Sequence, residues 1–121
     1  MSKTANSSGL LAVGTCGQWT VELDEKDDGK LSLTIERCNY SLNFEVIAKS
    51  VIYDLWRFFV AKPEKLIINS KISFVWDNEE DIKRCFIKIK ETDCTIDIAL
   101  HRSDIVDLGG AVANALLDLD N

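Results

Sequence analysis

The chain has 121 residues, one proline and 46% hydrophobic residues, which is enough for one compact core and too short for two large domains. Twenty acidic and fourteen basic residues give a formal charge of −6, which argues against a general binder of the nucleic-acid backbone, since such proteins concentrate Lys and Arg. Neither an apolar run of membrane-spanning length nor a secretory signal occurs, so we expect a cytoplasmic protein with no membrane partner.

The first half of the sequence predicts four strands. Residues 1–8 are polar and predict a disordered leader in front of a single domain over residues 9–121. Short apolar runs and alternation of apolar with polar residues then indicate strands near residues 10–13, 19–23, 31–36 and 42–46. Between the second and third strands, residues 24–29 form an acidic turn in which Gly29 can supply a positive φ.

A helix follows, and the second half of the chain repeats the order. From about Ser50 the apolar residues recur at helical spacing, and Pro63 predicts where this helix stops. The same patterns then predict strands near residues 65–68, 72–76, 85–89 and 96–100, an acidic turn at residues 77–81 and a final helix over about residues 103–117.

The two halves match at an offset of 53 or 54 residues. Val21 meets Phe74 and Leu33 meets Ile87, while residues 49–55 and 102–108 share four identities and one conservative pair in seven positions. A fixed period of this kind indicates an internal repeat. The predicted fold class is α+β, with ββββα repeats over residues 9–62 and 63–121, two antiparallel sheets, and helices that share one core.

This duplicated ββββα pattern resembles the Whirly and PUR families, in which two such units interlock by pseudo-twofold symmetry and bind single-stranded nucleic acid. The resemblance is topological and covers nearly the whole chain. The sequence lacks the Lys-Gly-Lys segment typical of Whirly proteins, and acidic residues 24–28 and 79–81 stand where PUR-like hairpins are basic and aromatic. The resemblance therefore implies the fold and leaves nucleic-acid binding as a second hypothesis.

The sequence offers little for catalysis or metal binding. His101 is the one histidine, and Cys94 lies an odd number of residues before it on a predicted strand, so their side chains point to opposite faces. A calcium loop starting at Asp24 would place Lys26 and Ile35 at positions that need oxygen ligands. We expect no enzymatic activity, no metal and no cofactor. The cysteines expected to be unpaired are Cys16, Cys38, Cys85 and Cys94.

The first predicted helix has a second apolar face, formed by Tyr53, Trp56 and Val60. A helix that is apolar on most sides is either sandwiched within the fold or covered by a partner. The positions of the second helix that match this face are Gly109 and Gly110, so we predict that Trp56 is buried against them.

The repeated acidic turns are the most distinctive polar feature. They are either solvated hairpin tips or charges that steer a basic protein partner. A small, acidic protein without catalytic motifs resembles bacterial immunity proteins of the contact-dependent growth inhibition type, some of which look like Whirly folds. That resemblance implies an inhibitor that neutralises a basic toxin nuclease; a single-stranded nucleic-acid binder and a secretion chaperone are the alternatives, and the oligomeric state, a dimer included, is open. The predicted partner-binding residues are Asp24, Glu25, Asp27, Asp28, Glu79, Glu80 and Asp81.

Overall fold

The computed structural model describes residues 9–79 and 82–121, and within them the chain forms eight strands and two helices in the predicted order. The strands are β1 (Leu10–Cys16), β2 (Trp19–Glu25), β3 (Leu31–Arg37), β4 (Tyr40–Val46), β5 (Lys65–Ile67), β6 (Ile72–Glu79), β7 (Ile82–Lys90) and β8 (Thr95–Leu100). The helices are α1 (Val51–Ala61) and α2 (Arg102–Asp120). Neither described helix combines the length and the apolar character needed to span a membrane.

The strands form two antiparallel sheets of four, β1-β2-β3-β4 and β5-β6-β7-β8, each followed in the chain by a helix. This confirms the α+β fold class and the ββββα arrangement. Because side chains alternate across a strand, each sheet has one apolar inward face. In the first sheet Leu23 pairs with Leu33 and Leu33 with Phe44, and all three are buried.

The two sheets differ in one register. With Leu23 matched to Trp76 and Leu33 matched to Ile87, the pair formed by Leu23 and Leu33 predicts a pair between Trp76 and Ile87. Instead Ile87 pairs with Phe74, two residues earlier. An even shift keeps every inward side chain inward, so the repeat tolerates it.

Each helix packs on the sheet of the other repeat. The Phe58 ring of α1 lies 5.7 Å from the Phe74 ring of β6, and the Phe58 carbonyl accepts a 2.9 Å hydrogen bond from Trp76 Nε1. In turn, α2 packs against β1 and β2, where Trp19 Nε1 donates to Asp104 Oδ1 at 3.1 Å. The helices also contact each other. The repeats therefore share one interlocked hydrophobic core, as the family resemblance implies.

The packing of α2 on β1 depends on small residues. A Cβ atom at Gly14 would overlap the backbone of Ala111 and Ala115, so the strand can approach the helix this closely only where it has no side chain. By contrast, α1 packs on the second sheet through bulky aromatic rings, including the stacked pair of Phe58 and Trp76, whose centroids are 5.4 Å apart. The two helix-to-sheet contacts are topologically alike and chemically different.

The free edge of β1 is also bonded by α2. Asp118 accepts a 2.9 Å hydrogen bond from the Val13 N–H, and Asn114 Nδ2 donates a 2.7 Å bond to the Thr15 carbonyl. An edge strand with unpaired backbone groups can pair with another chain, and covering those groups prevents this. The two contacts satisfy one donor and one acceptor of this edge.

The structure corrects the prediction for Trp56. The position of a Cβ atom at Gly109 lies 3.5 Å from Phe59, and at Gly110 it lies 2.7 Å from Cys16 Sγ; Trp56 is not near either glycine. Trp56 is half-buried beside the exposed Tyr53, with the two ring centroids 5.8 Å apart. Phe59 instead faces α2 at Gly109, and its ring also contacts those of Phe74 and Trp76 in the second sheet.

Candidate functional site

The first acidic turn is an ordered hairpin tip. Asp24 and Glu25 end β2, while Asp27 and Asp28 lie in the turn itself. The Lys30 N–H donates to Asp28 Oδ1 at 2.9 Å, an Asx-type bond that orders such turns. Gly29 has a φ of 85°, as the sequence predicts. The turn's carboxylates are therefore held on a folded hairpin.

The second predicted acidic turn begins within a strand. Asp77 lies within β6 opposite Arg84, so a cation stands across from it. Glu79 ends β6, and its side chain lies outside the described part of the structure, as do residues Glu80 and Asp81. The two predicted acidic turns therefore differ at Asp77. In the described part of the first turn, no Lys or Arg pairs across the strands with an acidic residue.

The fold does not bring the two acidic turns together. Glu25 and Gly29 line a cleft of about 1000 Å³ that also includes Ile72, at the start of β6. Glu79 stands seven residues further along β6, which is about 23 Å at the usual rise of a strand. The described end of β6 at Glu79 therefore lies far from the first hairpin tip.

The cleft lies between the two sheets, and no local sequence pattern indicates it. Its apolar surface includes Phe44 and Val46 of β4 and Ile89 of β7. Asn69 closes part of it by donating a 2.8 Å hydrogen bond from Nδ2 to the Glu45 carbonyl. No arrangement of acid, base and nucleophile is evident among the described side chains that line it.

The outer face of the first sheet carries a group of carboxylates that extends from the first hairpin tip. Glu22 and Asp24 are neighbours on the outer side of β2, and Glu36 lies on the outer side of β3. Glu22 pairs with Thr34, so Glu36 is its diagonal neighbour, at about 7–8 Å between Cα atoms. We call Glu22, Asp24 and Glu36 the acidic face. Asp24 joins this face to the hairpin tip.

Among the described residues, no positive charge compensates the acidic face. Burial, followed by the charges of Asp24 and Glu36, raises the pKa of Glu22, and burial raises the pKa of Asp24. Among the described residues, no cation forms an ion pair with any of these three carboxylates. Nearby, Glu45 lies 3.8 Å from Lys30, so it is partly compensated. Asp24 and Glu36 thus both repel Glu22, which lies between them.

Of the three residues of the acidic face, only Asp24 is among the partner-binding residues predicted from the sequence. The alternation that directs Leu23 and Ile35 inward also directs Glu22 and Glu36 outward, so the signal was present. That Glu36 lies beside Glu22 follows from the pairing register of β2 and β3, which the strand patterns alone do not give.

The buried polar contacts around Asp104 hold the fold together. Asp104 accepts the hydrogen bond from Trp19, lies 3.8 Å from Arg37 Nε, and accepts a 3.3 Å bond from the His101 N–H. Burial, with the Asp104 charge as the next cause, raises the pKa of Tyr40. These contacts fix the start of α2 on the first sheet, and the His101 side chain itself is exposed there.

The thiols are also separated. Cys85 is buried, and burial raises its pKa to about 12, while Cys38 and Cys94 are exposed and Cys16 is half-buried. All four are free in the structure. Among the described residues, no three His, Cys, Asp or Glu side chains converge as metal ligands.

No protein-family model, curated protein or solved structure matches this chain.

Proposed function

We propose that the protein is a protein-binding inhibitor of the immunity type, which docks its acidic face on a basic toxin domain and blocks that domain's nucleic-acid-binding surface. The observation that carries the proposal is the group formed by Glu22, Asp24 and Glu36, unpaired on a rigid sheet. A basic partner would supply the counter-charges that this chain does not provide.

The energetics favour a partner with several cations. Like charges on a folded surface lower its stability, and the raised pKa of Glu22 reflects that repulsion together with burial. Lys and Arg side chains from a partner would relieve it. Complementary charge also speeds association and selects against acidic competitors. A fixed group of carboxylates is therefore suited to binding a basic surface quickly.

The neighbouring tip adds shape to this charge. Asp27 and Asp28 project beyond the end of the sheet on an ordered turn, and the cleft begins beside Glu25. A partner bound to the acidic face could place a loop against this tip. The tip and the face together therefore form the proposed docking surface, and the second predicted acidic turn is not part of it.

The first experiment is a parallel capture from native lysate. One bait is the wild-type chain, and a second is the triple variant Glu22→Gln/Asp24→Asn/Glu36→Gln, which removes three charges and keeps the shapes of the side chains. We expect the wild type to enrich a protein with a basic nuclease domain, the triple variant to lose it, and the wild-type chain to inhibit the nuclease activity of that protein.

The matched control removes three exposed carboxylates elsewhere, with Glu64→Gln/Asp93→Asn/Asp120→Asn. This control should capture the same protein as the wild type. Equal loss in both triple variants would show a general effect of net charge and would contradict the docking surface. Capture of a protein whose nuclease activity the chain leaves unchanged would contradict the inhibitor function.

The second candidate is single-stranded nucleic-acid binding, and the outer face of the second sheet favours it. There Phe86 is half-buried beside Lys88, whose Nζ lies 5.9 Å from the ring centroid. An aromatic ring flanked by cations is the element on which unpaired bases stack. Fluorescence anisotropy of a labelled single-stranded oligonucleotide at low salt tests it, and Phe86→Leu should then weaken binding.

A further inference from the structure

The outer faces of the two sheets carry clusters of opposite charge. The acidic face lies on the outer side of the first sheet. On the outer side of the second sheet, four lysines line one shallow pocket of about 240 Å³, and no carboxylate lines it among the described residues. Four of the chain's fourteen basic residues thus meet in one concavity of a protein whose net charge is −6. The lysines are Lys65, Lys71, Lys88 and Lys90.

Most of this positive charge is uncompensated. Lys88 Nζ forms a 3.2 Å ion pair with Asp97, the cross-strand neighbour that stands next to the pocket. For Lys65, Lys71 and Lys90 the described residues supply no ion pair. Like charges brought together without partners destabilise a surface, so an anion bound among them would be stabilised.

The walls of the pocket are ordered by the backbone. Asn69 Oδ1 accepts hydrogen bonds from the N–H groups of Lys71 and Ile72, at 2.8 and 2.9 Å. The Lys90 N–H donates a 2.7 Å bond to the Lys71 carbonyl, which fixes the β5–β6 turn against the end of β7. The backbones of two lysines from different elements, Lys71 and Lys90, are therefore held side by side.

The remaining lining supplies neutral donors. The hydroxyl groups of Ser73 and Thr95 belong to the same pocket, on β6 and β8. Ammonium groups together with hydroxyl donors suit a phosphate, since each phosphate oxygen accepts several hydrogen bonds. The pocket has room for about eight waters at about 30 Å³ each, which suits a diphosphate and is small for a whole nucleotide.

We propose that this pocket is a binding site for a small solute that carries a diphosphate group. The site lies on the outer face of the second sheet, whereas the proposed docking surface lies on the first. Each proposal can therefore fail without the other.

The test is calorimetric titration of the full chain with inorganic diphosphate, at low ionic strength and without divalent cations. We expect one site per chain and weaker binding of inorganic phosphate, because phosphate brings less charge to the same lysines. The variant Lys71→Gln/Lys90→Gln should weaken diphosphate binding by at least about tenfold, through loss of two charge-assisted contacts. Raising the salt concentration should weaken binding further, because salt screens exposed charges.

The matched control, Lys26→Gln/Arg102→Gln, removes two exposed basic residues that do not line the pocket and should bind as the wild type does. Absence of diphosphate binding by the wild type would overturn the proposal, and so would equal weakening in both double variants. A single-stranded oligonucleotide that binds where diphosphate does not would also overturn it, in favour of nucleic acid. Chemical unfolding of both variants establishes that they fold alike.

Discussion

Replacing Gly14 by alanine is the sharpest test of the contact between β1 and α2. The added Cβ atom would overlap the backbone of Ala111 and Ala115 and lie 2.8 Å from the Asn114 carbonyl carbon. All of these atoms belong to the helix backbone, so no side chain can rotate out of the way. The helix and the strand must therefore move apart, although the substitution adds only one methyl group.

The expected cost is about 4 kcal/mol. Overpacking a close contact costs about 1–3 kcal/mol. Separation also stretches the two bonds that Asp118 and Asn114 make to the edge of β1, at about 1 kcal/mol each. Domains of this size are stable by about 5–15 kcal/mol in total, so Gly14→Ala should leave a weakly folded protein.

Urea unfolding followed by circular dichroism measures this cost. The matched control is Gly109→Ala on α2, where the Cβ atom would meet Phe59 at an ordinary 3.5 Å. Because alanine favours a helix interior over glycine by about 1 kcal/mol, the control should be as stable as the wild type or more so. If Gly14→Ala and Gly109→Ala had equal effects, the close approach of β1 to α2 would be wrong.

Three further outcomes are expected. Gly110→Leu should lower the free energy of unfolding by about 1–3 kcal/mol through overpacking against Cys16, and by less in a Cys16→Ala background. Urea unfolding measures this, and an unchanged urea midpoint would contradict the contact. Glu22→Gln should stabilise the protein slightly near neutral pH and have no effect well below pH 4.5, because the folded state raises the pKa of Glu22 and the wild type therefore loses stability as pH rises above 4.5. A stabilisation that persists in acid would refute this cause. In thiol titration of the unreduced protein, Cys85 should react only after unfolding, because burial holds its pKa at about 12. The unfolded protein should then give four reactive thiols, and a count of two or none would show disulfides.

Local patterns were sufficient to predict the strands and the repeat. The alternation of Leu31, Leu33 and Ile35 marks β3 and its inward face, and the structure buries all three. Helix limits were close as well: α1 ends at Ala61, where Lys62 takes a left-handed conformation with φ 53° just before Pro63. These features depend on residues near one another in the chain, so the sequence carries them directly.

Contacts between distant elements were harder to predict. Helical periodicity shows that α1 has two apolar faces but does not say which one meets α2, and Phe59 took the place expected for Trp56. The family resemblance implied that the two units interlock, but not that each helix packs on the sheet of the other repeat. Likewise, the acidic face needs the register that places Glu36 beside Glu22, and the lysine pocket needs four strands and a turn to meet. Register and docking are tertiary properties.

The most direct test of the proposed function is the association rate between this chain and the basic protein that it captures. Stopped-flow measurements at about 0.1 M and 1 M salt should compare the wild type with Glu22→Gln/Asp24→Asn/Glu36→Gln, since the Debye length falls from about 10 Å to about 3 Å between them. We expect both high salt and the triple variant to slow association by at least about tenfold while changing dissociation much less. An association rate that is indifferent to salt and to these three carboxylates would contradict the acidic face as the docking surface.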